Sequence, residues 1–121
     1  MKLLTSFSLN MLNGEEHCFT HRRISFESAR NLLLRYGVES CVGSPGLANI
    51  LSQMLNLDIL PVTKHIQIMP GEQIVVAHYL GYPPAPSAIN LPIGSKIIWR
   101  TIRVTNEVTA SATADGMALA I

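Results

Sequence analysis

The chain has 121 residues and a mass of 13.2 kDa, a size typical of one domain, which we expect to span residues 1–121. Nine basic residues nearly balance eight acidic ones, for a formal net charge of +1. This balance disfavours binding to nucleic acid or membrane by bulk charge. Only 14% of the residues are charged, so we expect part of the surface to be covered in a homodimer or higher homo-oligomer.

No stretch approaches the ~18 apolar residues of a membrane span. Polar residues follow Met1 too soon to leave the apolar segment of a signal peptide. Cys18 and Cys41 show neither a disulfide pattern nor a metal-binding spacing. We therefore expect a cytoplasmic protein without a membrane partner.

The first half of the chain predicts two strands and a helix. Residues 2–9 alternate without a breaker, Asn13-Gly14 is a hairpin signal, and residues 16–24 are expected to return antiparallel beside the first strand. Ser25 is predicted to cap the first helix and Gly37 to end it. Its apolar face would hold these residues: Phe26, Ala29, Leu32, Leu33 and Tyr36.

A short strand at residues 38–42 is predicted to lead into the second helix. Ser44 is its candidate N-cap and Pro45 its first residue. The apolar residues recur at i, i+3, i+4, i+7 and i+8, as on one face of a helix: Leu47, Ile50, Leu51, Met54 and Leu55.

The second half predicts mainly strands. Residues 64–69 and 73–80 would form a hairpin, residues 81–94 a proline-rich loop, and residues 96–104 a strong strand. Residues 105–121 would form an extra strand or a flexible tail. The predicted fold class is α+β: a mixed, mostly antiparallel sheet of five or six strands with two helices packed on one face. The uncovered sheet face favours dimerisation.

Several residues are candidates for a ligand site. Gly43 and Ser44 precede a helix N-terminus, where backbone N–H groups suit a phosphate, although a simple tight turn explains the same residues. Ser8 and Asn10 would share one side of the first strand, or else form a turn.

The proline-rich loop supplies other candidates. Long loops often carry function, and Tyr79 and Tyr82 are placed to stack on a base, although a stiff connector is an equal alternative. Arg100 and Arg103 are candidates to clamp a phosphate. The sequence offers no pattern for a catalytic triad, paired carboxylates or a metal site, so no catalytic residue, metal or cofactor is assigned.

In several segments the sequence resembles a family of small proteins from archaeal viruses, phages, plasmids and bacterial integrative elements. The resemblance spans about three quarters of the chain, from residue 4 to residue 94, and is carried by residues 4–12, 23–33, 40–44, 48–55, 69–72 and 91–94. Family members of understood activity are viral anti-CRISPR ring nucleases, which cleave cyclic tetra-adenylate. The resemblance implies an α+β dimer with a ligand cleft, and it implies that Ser8 and Asn10 border that cleft.

The resemblance also shows departures. Ser44 stands where the family has the histidine that acts as general acid, and Asn90 and Ile93 stand where it has an arginine and a glutamate. Serine cannot protonate a leaving oxygen near neutral pH as imidazole can. The resemblance therefore predicts a protein encoded by a phage or mobile element that binds a cyclic nucleotide or cyclic ADP-ribose-type signal without cleaving it. The alternatives are a ring nuclease with a relocated histidine, His21 or His78, and a protein- or DNA-interaction module.

Overall fold

The computed structural model describes residues 1–12 and 18–105. Its elements, in chain order, are β1 (Lys2–Leu4), a 3-10 turn (Leu9–Met11), β2 (Cys18–Ile24), α1 (Phe26–Tyr36), β3 (Glu39–Ser40), α2 (Pro45–Leu55), β4 (Gln73–Leu80) and β5 (Lys96–Thr105). The predicted α+β class is confirmed, with two helices and one five-stranded mixed sheet. No helix in these described ranges is long and apolar enough to cross a membrane.

Both helices begin where the sequence predicts, because a serine side chain caps each one. The Ser25 Oγ accepts from the Ser28 amide at 3.0 Å, and the Ser44 Oγ accepts from the Leu47 amide at 3.2 Å. These bonds satisfy donors that a helix start leaves without partners. Gly37 ends α1 at a φ of 76°, a value that glycine adopts without a steric penalty.

The sheet has the strand order β2-β5-β4-β1-β3. The central strand β5 is antiparallel to β2 and β4, whereas β1 is parallel to β4 and β3. Strands β1 to β4 therefore all point the same way, and their carboxyl ends lie at one edge of the sheet. Both helices start from this edge, α1 directly after β2 and α2 four residues after β3.

Successive residues of the strands pack into two cores on opposite faces. Leu3, Val75 and Ala77 face both helices, in a cluster that includes Leu33 of α1 and Leu51 of α2. The second face has a separate cluster, formed by the strand residues that alternate in sequence with the first set. Residues from outside the strands partly cover this cluster: Phe7, Met11, Leu12, Ile66 and Ile68. The prediction of two helices on one face is confirmed. The dimer stays a prediction.

Three strand predictions are wrong. The first strand ends at Leu4 instead of residue 9, because Phe7 and Met11 leave the ladder to pack onto the second face. Strand β2 pairs with β5 and not with β1, so the predicted hairpin does not form. Residues 64–69 contribute one parallel bridge, from Ile68 to Leu12, instead of a strand paired with β4.

Two predictions fall outside the described residues: the Asn13-Gly14 turn and the strand or tail over residues 106–121.

Within the helices, one assignment is corrected. Tyr36 was expected on the apolar face of α1 but is 58% exposed, since it occupies the last helical residue beyond the sheet contact. Of the five residues predicted on the apolar face of α2, four are buried and Met54 is half-buried.

Candidate anion-binding site

A polar cleft lies on the helical face of the sheet, between α1 and strands β2, β4 and β5. It consists of two adjoining cavities of about 380 and 250 Å³, which share Arg22, Gln73 and Thr101. Arg35 lines the larger cavity and Arg103 the smaller one. We call this cleft, lined by these five residues and their neighbours, the arginine groove. Its larger cavity falls within the ~300–1,000 Å³ typical of small-molecule sites.

The register of β5 with its two neighbours brings these side chains together. Thr101 lies opposite Arg22 on β2, and Arg103 lies opposite Gln73 on β4. Residues two apart on a strand share a face, so Thr101 and Arg103 both point toward α1. Helix α1 contributes three polar side chains, which lie three and four residues apart and therefore share one face of the helix: Ser28, Asn31 and Arg35.

The groove is electropositive. Within residues 1–12 and 18–105, no aspartate or glutamate lines either of its cavities. Among the described residues, the two ion pairs join Lys2 to Glu72 and Lys64 to Glu39, so the groove arginines take part in neither. Guanidinium groups without carboxylate partners are suited to bidentate binding of phosphate.

Two of the polar groups are already oriented. Arg103 donates from one terminal nitrogen to the Gly71 carbonyl oxygen at 3.0 Å, and from the other to the Gln73 Oε1 at 3.2 Å. These bonds hold the guanidinium at the cavity wall. Because they use only part of its five N–H donors, the group keeps donors for a ligand.

Thr101 is the polar residue most deeply buried in the groove, with 6% of its surface exposed. Its hydroxyl forms no hydrogen bond to any group of residues 1–12 and 18–105. Buried polar groups nearly always have a partner, either protein or water. Thr101 therefore offers a hydroxyl for a bound molecule at the floor of the groove.

Of the residues predicted from the sequence to bind a ligand, Arg103 lies in this groove, and His21, a candidate general acid, is also among the lining residues of the smaller cavity. Arg100 was considered as its partner in a phosphate clamp, and that pairing is wrong. Arg100 lies opposite Val76, which belongs to the second face, whereas Arg103 is on the helical face. An odd sequence separation on a strand puts two side chains on opposite faces.

Ser44 and Gly43 lie at the start of α2, where the proline-rich loop covers the helix. A Cβ on Gly46 would meet the backbone carbonyl oxygens of Ala85 and Pro84. The Asn49 side chain fastens the same loop by donating to the Pro86 carbonyl oxygen at 2.9 Å. Carbonyl oxygens therefore occupy the space beside the first helical turn, and the Ser44 hydroxyl serves as the N-cap.

Ser8 and Asn10 form a turn, the alternative to a shared strand face. The Asn10 amide donates to the Ser8 Oγ at 3.3 Å, and the Met11 amide donates to the Ser8 carbonyl oxygen at 3.0 Å. Both side chains are exposed, and their neighbours Phe7 and Met11 pack on the second sheet face. Across the described part of the chain, no hydrogen bond joins either residue to Ser44.

Tyr79 and Tyr82 lie toward the other end of the sheet from Arg103. The Tyr79 hydroxyl donates to the Tyr82 carbonyl oxygen, and the Tyr82 side chain is 90% exposed beside a cavity of about 370 Å³ that it lines with Ile93. Asn90 is exposed in the loop. Tyr79 pairs with Ile97, six residues from Arg103 on β5, which corresponds to ~20 Å along a strand.

Most of the groove was missed by sequence reasoning, although a signal was present. Thr-x-Arg occurs at Thr20 and Arg22 on β2 and again at Thr101 and Arg103 on β5. On neighbouring strands, such i, i+2 pairs line one face together. Arg35 gave no comparable signal, because its proximity depends on how α1 crosses the sheet.

The fold and groove define a small α+β protein with a mixed five-stranded sheet and a basic cleft under its first helix. The chain belongs to the STIV B116-like family, whose sequence profile matches residues 1–90. This confirms the resemblance to a family of small archaeal-virus proteins and supports a viral type of protein. The ring-nuclease connection stays a prediction.

A solved structure agrees with this assignment. B116 of Sulfolobus turreted icosahedral virus superposes with a TM-score of 0.64 over 84% of this chain and 97% of its own, at 15% sequence identity. At that identity the likeness establishes the shared fold. No curated protein matches the sequence.

Proposed function

We propose that this protein binds a small anionic nucleotide-type molecule in the arginine groove and sequesters it intact. The ligand class is a cyclic nucleotide or a cyclic ADP-ribose-type immune signal, and the protein is an anti-defence protein. One observation carries the proposal: Arg22, Arg35 and Arg103 line adjoining cavities that have no carboxylate among their described lining residues. Phosphate is the ligand group that such an arrangement of guanidinium groups recognises.

The groove also supplies contacts for the rest of a nucleotide. Leu32 and Ile24 contribute apolar surface to the larger cavity, and Asn31 contributes an amide with both donors and an acceptor. Small-molecule sites combine apolar walls with a few polar groups in this manner. The Thr101 hydroxyl, which forms no hydrogen bond to the described residues, adds one hydrogen bond at the floor.

Capture without cleavage is favoured by the residues present. Among the described residues, no carboxylate lines the groove as a general base, and the position of the resembled family's general acid, Ser44, lies outside the groove and carries no imidazole. Losing a general acid typically costs ~10²–10⁴ in rate. Sequestration requires tight binding only, so it tolerates this loss.

The test is a capture-and-release experiment. Purified protein in molar excess is mixed with cyclic tetra-adenylate or, separately, with cyclic ADP-ribose, and the free ligand is removed by ultrafiltration. Heating the retained fraction should return at least one of the two molecules intact. Retention of neither molecule would contradict the proposal.

Variants locate the binding in the groove. Arg22→Gln and Arg103→Gln should each weaken retention by ~10–100-fold, because a hydrogen bond to a charged group contributes ~1.5–3 kcal/mol. Lys64→Gln is the matched control, since it removes an exposed cation outside the groove. If both arginine variants retain ligand like the wild type, the groove is not the site.

The ring nuclease is a second candidate because His21 is among the residues that line the smaller cavity with Arg22 and Arg103, although its register opposite Ile102 directs its side chain toward the second face. Linear products in the heated fraction would identify this activity, and His21→Gln should then abolish product formation while retention persists.

A further inference from the structure

The central strand β5 is longer than its neighbour β2, which leaves part of it open. Strand β5 pairs with β4 from Lys96 to Arg103, but with β2 only from Trp99 onward. Residues 96–98 therefore have a strand on one side alone. In an antiparallel ladder, successive residues direct their N–H and C=O groups to alternate sides. At least one of these three residues thus presents a backbone donor and acceptor to the open side.

A cavity of about 540 Å³ lies along this open edge. Its walls are apolar and come from three separate segments: Phe26 of α1, Met54 of α2 and Leu91 of the loop. Trp99, which packs against Phe26 with ring centroids 5.5 Å apart, closes its end. An open strand edge thus lies beside a walled cleft instead of bulk solvent.

The polar residues of the cleft are cationic or neutral. Arg23 and Lys96 line it, together with the hydroxyl-bearing Ser25 and Ser95, and the described part of the chain contributes no aspartate or glutamate to its lining. Both cations are exposed, and among the residues described neither forms an ion pair. The cleft is therefore complementary to a ligand with apolar groups and at least one carboxylate.

We propose that this cleft binds an extended, acidic peptide segment of a partner protein, which adds as a strand along residues 96–98. Main-chain hydrogen bonds to an open edge provide affinity, and alternate side chains entering flanking pockets provide specificity. The apolar walls receive one set of side chains, and Arg23 and Lys96 receive the carboxylates.

The charges disfavour a second copy of this chain as the occupant. The longer edge strand that a copy would offer is β2, which carries Arg22 and Arg23. Its pairing along residues 96–98 would place arginines against Arg23 and Lys96, and like charges in cross-strand contact are destabilising. The other edge strand, β3, has only two residues.

Nuclear magnetic resonance with a designed peptide tests the proposal. The probe is a blocked heptapeptide that alternates valine and glutamate. Its controls are the same peptide with lysine replacing glutamate and the same peptide with N-methylated valines. The acidic peptide should shift the amide signals of residues 96–98 saturably and slow the hydrogen exchange of those that face the cleft. Both control peptides should bind at least tenfold more weakly.

Protein variants complete the test. Lys96→Glu should weaken binding of the acidic peptide at least tenfold, whereas Lys64→Glu, at another exposed lysine, should leave it unchanged. Protection of every amide of residues 96–98 before peptide is added would overturn the proposal, as would equal binding of the N-methylated peptide. No shift at these residues with millimolar acidic peptide would also overturn it. None of these results bears on the arginine groove, which is tested by retention of nucleotides.

Discussion

Replacing Gly46 by alanine tests how closely the proline-rich loop packs against α2. A Cβ at this position would meet the carbonyl oxygens of Ala85 and Pro84 at distances that real Cβ atoms rarely or never show. These atoms belong to the backbone, so they cannot move aside by a side-chain rotation. The loop must therefore retreat from the helix.

The expected free-energy change follows from three contributions. Overpacking costs ~1–3 kcal/mol, and loss of the hydrogen bond from Asn49 to the Pro86 carbonyl oxygen costs ~0.5–1.5 kcal/mol. Alanine opposes these costs by favouring the helix over glycine by up to ~1 kcal/mol. Gly46→Ala should therefore lower the free energy of unfolding by roughly 0.5–4.5 kcal/mol.

Urea unfolding followed by tryptophan fluorescence measures this change, because the single tryptophan, Trp99, is 5% exposed. Gly43→Ala is the control: its Cβ would lie 3.7 Å from the nearest atom, the Val62 carbonyl oxygen, which is an ordinary contact. We expect a change within ~0.5 kcal/mol there. The packing argument is refuted if Gly46→Ala is as stable as the wild type, or if both variants lose the same stability.

Two further predictions concern the cap of α2 and the pair of Lys2 with Glu72. Ser44→Ala should cost ~1 kcal/mol in urea unfolding while Ser44→Asp retains the stability, because aspartate also caps; equal stability of both variants would show that the cap contributes nothing. Burial acts to raise the pKa of Glu72, but hydrogen bonds from Lys2 and the Met69 amide hold that pKa below its usual 4.5. The stabilisation of the fold by the Glu72 carboxylate is therefore present above pH 4.5 and is lost as the pH falls through the folded-state pKa of Glu72. Burial acts to lower the pKa of Lys2, but Glu72 raises it above 10.5. The stabilisation from charged Lys2 is therefore lost as the pH rises through its folded-state pKa. Glu72→Gln should cost ~1–3 kcal/mol at pH 7 and flatten the acid side of the stability–pH profile; an unchanged profile would contradict the assignment.

The sequence predicted the elements whose signals are local. Ser25 and Ser44 each cap a helix three residues before the amide they bind, and α2 shows its apolar period directly. Strands β4 and β5 were predicted within a residue of their ends. Strand pairing was predicted poorly, because a hairpin signal at Asn13-Gly14 carries no information about a strand distant in sequence that competes for the same pairing. Strand β5 pairs with β2 across some eighty residues of sequence.

The candidate site was also predicted only in part from the sequence. Arg103 was a candidate from its own strand, but its assignment to a clamp with Arg100 was wrong, because the strand pleat separates residues three apart. Arg22 was missed, since its position depends on the pairing of β2 with β5, and Arg35 was missed because α1 brings it to the sheet.

The sequence by itself determined the α+β class, the two capped helices and the long strands, because these depend on interactions between residues a few positions apart. Tertiary structure alone decided the strand order, the convergence of Arg22, Arg35 and Arg103, and the open edge at residues 96–98. Each of these arises from pairing between distant segments, where burying apolar side chains on both sheet faces outweighs any local turn preference.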